Sequence, residues 1–224
     1  MAVCAVLCVG LVLVILAMSV GQQRTSKRVA STAKEWAGYL DRLNFQDGIG
    51  HTLPEDPLCR AQIASLVLDA ALRMDAGSRM PFARFIHLCK LESYILDVLA
   101  RPRGQSPVVL ETCATLAGLF GMQGALPHLP RLLEHRVAAV AFSASLAMLR
   151  LKPSAVPIVW ARAPVQRFSK AALLTLLKAV PSCHVDQLVR RRLDKSDAKG
   201  AAQLLSAWGQ LPGRAAVRYA SDLL

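Results

Sequence analysis

His87 and Cys89, two residues apart, and the adjacent Cys183 and His184 are the close pairs in this sequence whose side chains could ligate a metal ion. A zinc centre takes three or four convergent nitrogen or sulfur ligands, and no second cluster stands at a spacing that would complete either pair. The reading is a packed thiol beside a surface imidazole, with no metal and no cofactor expected. Glu55 and Asp56 are neighbouring carboxylates of the kind acid–base catalysis uses. Pro54 and Pro57 flank them, however, and a solvated loop ending in a helix cap accounts for both. Gly48-Ile49-Gly50 opens like a dinucleotide-binding loop, but the third glycine position holds Leu53 and no strand pattern precedes it, which leaves a turn. No nucleophile elbow is present. The expectation is a protein that is not an enzyme.

The basic residues carry a stronger signal. Lys and Arg number 27 against 15 Asp and Glu, a formal charge of +12. Arg190, Arg191 and Arg192 are consecutive, and Lys195 and Lys199 follow in the same helix-turn region. Such runs coat solvated faces and complement helix C-termini. They also make an electropositive strip for an acidic partner or for anionic lipid. Near a cytoplasmic leaflet each Lys or Arg contributes about 1 kcal/mol.

These side chains need a scaffold, and composition narrows it. Apolar residues make up 54% of the 224, which excludes a disordered chain; aromatics make up only 5%, which argues against a β-sandwich. Six cysteines are too few and too scattered for a disulfide-stapled scaffold, and unpaired buried thiols suit a reducing compartment.

No charged side chain occurs from Met1 to Gln23, and Ala2–Val20 is an almost unbroken apolar run. At about 1.5 Å per residue, ~20 helical residues span the ~30 Å hydrocarbon core. The reading is an uncleaved transmembrane anchor over 1–23. A cleaved signal peptide, with Ala17-Met18-Ser19 as its small-residue site, is the alternative, but it lacks a basic leading region. Arg24, Lys27, Arg28 and Lys34 follow the run and nothing basic precedes it. The positive-inside rule then places the C-terminal side in the cytoplasm, giving a single-pass membrane protein.

Beyond the anchor the chain reads as all-α. Thr32 to Glu35 has the form of a capping box, after which Trp36, Leu40 and Leu43 share a helical face. Residues 24–56 read as a juxtamembrane helix and linker. Asp56-Pro57 then caps a helix with apolar positions at Ile63, Leu66, Val67, Ala70 and Met74, ending by Gly77. Pro81 opens another, with Phe82, Phe85, Ile86 and Cys89 as its stripe, and Pro107 a third.

From there the sequence repeats. Leu116-Ala117-Gly118-Leu119 through Leu129 aligns without a gap on Leu146-Ala147-Met148-Leu149 through Val159, 30 residues on. Leu174, Leu177, Lys178, Pro181 and Ser182 continue the register after 28 more, and Leu205, Trp208 and Pro212 after a further 31. Periods of this size, with two short helices and a Pro-containing turn per unit, mark an α-solenoid. The pattern resembles the HEAT-repeat family, clearly over 107–224 and by helix length and apolar spacing over 57–106. Arg167 matches that family's basic residue early in the second helix, whereas the preceding unit has Ala139 there.

The resemblance implies a right-handed α-α solenoid of helical hairpins over 57–224, used as a scaffold that docks a protein partner. Arg150 and Lys178 fall at equivalent repeat positions, so stacking would set them in a ladder; with Arg190, Arg191 and Arg192 they are the expected partner-binding residues. A second reading follows from HEAT-like folds that resemble alkylpurine DNA glycosylases, for which Trp160, Asp186 and Trp208 would be the candidates. A membrane tether sets chromosomal DNA out of reach, and a nucleic-acid partner is not expected.

Overall fold

The computed structural model describes residues 22–23, 25–38, 40, 53–180, 182–193 and 198–211. The proposed anchor, apart from Gln22 and Gln23, and the motif Gly48-Ile49-Gly50 lie outside these residues. Among the described residues all regular elements are helical, and no helix is long and apolar enough to cross a membrane. The chain divides into two compact units, Met1–Cys89 and Lys90–Leu224. A boundary therefore falls inside the range 57–224 that the repeat pattern joined into one solenoid.

In the first unit, α1 covers residues 25–38, α2 Pro57–Arg73 and α3 Met80–Leu88, with a 3-10 turn at Ala76–Arg79 before α3. Helix α1 is already running at residue 25, so Thr32 and Glu35 sit inside it and do not form the expected cap. Trp36 and Leu40 are buried as the face required, and Trp36 meets Phe85 edge-on with ring centroids 5.9 Å apart. Asp56 caps α2 by accepting from the Leu58 N–H at 2.9 Å, and Pro57 fills the first position, where no N–H is needed.

The buried stripe of α2 is Cys59, Ile63, Ala64, Val67 and Ala71, and the helix stops at Arg73. Leu66 and Ala70 are half-buried and Met74 is exposed. Apolarity alone ranked Leu66 above Ala64. Packing instead follows the line of residues four apart through Cys59, Ile63, Val67 and Ala71. Arg79 closes the helix end, its guanidinium donating to the Ala71 carbonyl at 3.0 Å and the Met74 carbonyl at 3.2 Å. These satisfy carbonyls that the helix itself leaves open. Phe82, Phe85, Ile86 and Cys89 are buried as the α3 stripe required.

The second unit holds α4 (Leu91–Ala100), α5 (Pro107–Leu119), α6 (Ala138–Leu151), α7 (Val156–Arg162), α8 (Lys170–Ala179), α9 (Ser182–Leu193) and α10 (Ala198–Trp208). The longer helices pack in series, α4 on α5, α5 on α6, α6 on α8 and α8 on α10, while α7 packs on α9. Burial recurs at the spacings of the sequence pattern. Ser145, Met148 and Leu149 are buried on α6; Leu173, Leu176 and Leu177 stand 28 residues later on α8; Leu204, Ala207 and Trp208 stand 31 later on α10. Leu146, Leu174 and Leu205, also equivalent, are only half-buried.

On α5 the place of Met148 is taken by Gly118, with a mechanical consequence. A Cβ on Gly118 would lie 2.6 Å from Ala147 Cα and 2.9 Å from its Cβ. Helices α5 and α6 thus meet backbone to backbone, the broadest helix packing of the unit, and Ala144 and Ala147 supply the small side chains this needs. Gly121, at φ +67°, ends α5 in the left-handed conformation, and the Met122 N–H returns to the Ala117 carbonyl at 3.0 Å. The return from α5 to α6 contains only 3-10 turns at Gln123–Ala125 and Leu129–Arg131, where the pattern called for a second helix. Gly121, Gly124, Pro127 and Pro130 lie within ten residues, a density of breakers that no α-helix absorbs.

Candidate functional site

The chemistry-bearing pairs disperse. His87 is exposed while Cys89 is buried, and desolvation pushes the Cys89 thiol up to about 11. Cys113, inside α5, is pushed to about 12 by the same cause. Both are neutral thiols at ordinary pH and poor nucleophiles. The side chains of Cys183 and His184 lie outside the described residues, and among the described ones no three His, Cys, Asp or Glu side chains could share a metal ion. Asp56 is spent on its cap, and Glu55 is exposed. Trp160 and Trp208 are both buried, which takes them from a groove surface, and the Asp186 side chain is outside the described set. The Trp160 indole N–H is buried with no hydrogen-bond partner among the described residues.

The basic residues sort into three groups by where the helices place them. Arg150 and Lys178 are exposed in the last turns of α6 and α8, helices packed on one another. Cations there face the negative end of the helix dipole and are favourable for the fold alone. Arg190 and Arg191 are exposed in the last turn of α9.

Arg192 turns inward. Its guanidinium donates to the Trp160 carbonyl at 3.3 Å, the Ala163 carbonyl at 3.2 Å and Gln166 Oε1 at 3.1 Å. This closes the C-terminal end of α7 from a neighbouring helix, much as Arg79 closes α2. Burial lowers the Arg192 pKa from its usual value, yet a guanidinium keeps its proton. The planar fork reaches carbonyls that α7 cannot satisfy itself. Arg192 therefore has a structural role at the end of α7.

A third group adds Arg136 and Lys170 to Arg167 and Lys199, which the sequence had marked for other reasons. Arg136 precedes α6, Arg167 precedes α8, Lys170 is the first residue of α8 and Lys199 the second of α10; all four are exposed. Ser169 caps α8 in the ordinary way, accepting from the Ala172 N–H at 3.2 Å. None of α5 to α10 has an acidic residue in its first turn, although that is where helix dipoles favour one. The detectable signal was Arg167 and Lys170 bracketing the evident N-cap Ser169.

What these features define is an all-α chain with a strongly basic C-terminal unit. Compared with family models, curated proteins and solved structures, the chain matches none.

Proposed function

We propose that the chain is a membrane-tethered scaffold: residues 1–23 anchor it, and a right-handed HEAT-like solenoid on the cytoplasmic side docks a protein partner through its basic residues. The observation that carries this reading is the buried triplet recurring at 28 and 31 residues on α6, α8 and α10, helices packed in series. Stacked repeats share a core this way and repeat their outward-facing positions as well. Of the 27 basic residues, 18 fall in Lys90–Leu224, against 8 of the 15 acidic ones. Charge of that density speeds encounter with an acidic partner, while a few apolar anchors hold the complex.

The test is gentle cross-linking of the full chain in its own membranes. The scaffold reading expects a discrete protein adduct that weakens when Arg150, Lys178, Arg190 and Arg191 are together changed to Glu, with protein level and helix content unchanged. An adduct indifferent to those reversals would take the cations at these helix C-termini out of docking. Retention of duplex DNA with a steep salt slope would favour the nucleic-acid reading instead. Intact mass from the same membranes tests the anchor, which loss of about 19 residues would remove.

A further inference from the structure

Two ties of the second unit draw the ends of α7 and α9 to the stretches that lead into α6 and α8. Arg162 Nε holds Glu134 Oε1 at 2.7 Å, tying the end of α7 to the approach to α6. Arg192 ties the end of α9 to Ala163 and Gln166. Helix α10 packs on the turn Val165–Arg167. Across 134–138, 162–170 and 190–193 the sequence has seven basic residues and one acidic one.

Fold stability does not call for this arrangement. Cations beside the starts of α6, α8 and α10 stand against the positive end of each helix dipole, which is unfavourable for the fold. Arg162 and Arg192 have internal partners and Arg191 stands in the last turn of α9, but Arg136, Arg167 and Lys170 project as exposed cations. We infer that this edge is the docking surface for an acidic, Asp- and Glu-rich segment of a protein partner; the inference rests on the scaffold reading and gives the partner's chemistry.

Two features favour carboxylates over other polyanions. Arg162 already takes a carboxylate, Glu134, in this setting, and the edge is rich in Arg, whose planar fork pairs with carboxylates and phosphates alike in two-point geometry. Surfaces for single-stranded nucleic acid add exposed aromatic platforms for bases, whereas Trp160 and Phe168 here are buried and Phe142, edge-on to Phe168, is half-buried.

The experiment uses the full chain in neutral-lipid nanodiscs and follows binding of a fluorescent poly-glutamate peptide by anisotropy. Wild type should bind, less tightly as salt rises. Arg136→Glu, Arg167→Glu and Lys170→Glu together should weaken binding at least ~10-fold, and the milder Gln triple less so, while Arg150→Glu with Lys178→Glu stays within about twofold. Helix content by circular dichroism accompanies each variant, and the Gln triple stands in if the Glu triple fails to fold. Loss on reversing Arg150 and Lys178 but not the edge would overturn the assignment and leave the scaffold reading standing. So would a cross-linked partner in membranes without poly-glutamate binding. Binding of phosphatidylserine vesicles or duplex DNA in place of the peptide would overturn the carboxylate chemistry.

Discussion

At the C-terminal ends of α6 and α8, Arg150 and Lys178 stand where open carbonyls gather negative potential. At the beginnings of α6, α8 and α10, Arg136, Arg167, Lys170 and Lys199 stand beside open N–H groups that repel them. The sign of charge is the same at both places, but the backbone explains the first set and works against the second. Position relative to the helix ends, more than the count of Lys and Arg, separates cations that fold stability accounts for from cations that need another reason.

The comparison depends on the helix register, and the largest effects test that first. Leu149→Ala and Leu177→Ala should each cost about 2–5 kcal/mol, the range for emptying a packed core position. Chemical denaturation measures this, and small losses at both would mean that the helix ends have been assigned wrongly. Gly118→Ala should cost about 1–3 kcal/mol although it adds one carbon, because that carbon meets the backbone of α6 at 2.6 Å. A neutral result there would show that α5 and α6 can separate without penalty.

Arg192 sharpens the contrast from within its own run. Arg192→Ala should destabilise by about 1–2 kcal/mol, because partly buried carbonyls lose a charged donor. Arg191→Ala should stay within about 0.5 kcal/mol. Thermal unfolding of the two variants checks this, and equal effects would mean that Arg192 does not clamp α7.

The smallest effects carry the sign. Arg150→Gln and Lys178→Gln should each lose about 0.3–1 kcal/mol, while Lys170→Gln and Lys199→Gln should gain a similar amount. Both changes should fade in high salt. Denaturation at low and high ionic strength decides it, and a loss at all four positions would erase the distinction between the two ends.

Much of the fold was legible because it depends on local chemistry. Asp56-Pro57 and the stripe from Phe82 to Cys89 are decided by side chains close in sequence, and the structure has them as read. Thr32 was misread because the capping pattern is equally compatible with a helix already under way. The seam at Gly118 was legible only as a gap in the repeat, since a missing side chain does not say which backbone fills the space. Arg192 and Arg191 are identical as letters. What divides them is the end of α7, some thirty residues earlier in the chain. The grouping of the cations at the helix starts is not legible for a related reason: they belong to stretches separated in sequence, and a search for runs favours Arg190–Arg192.

The most direct test of the docking surface places a photo-activatable amino acid at position 167 or at position 150 of the full chain in its native membranes. Illumination should yield a protein adduct from position 167 and none from position 150. An adduct from position 150 alone would contradict it and return the interface to the cations that the helix dipoles already explain.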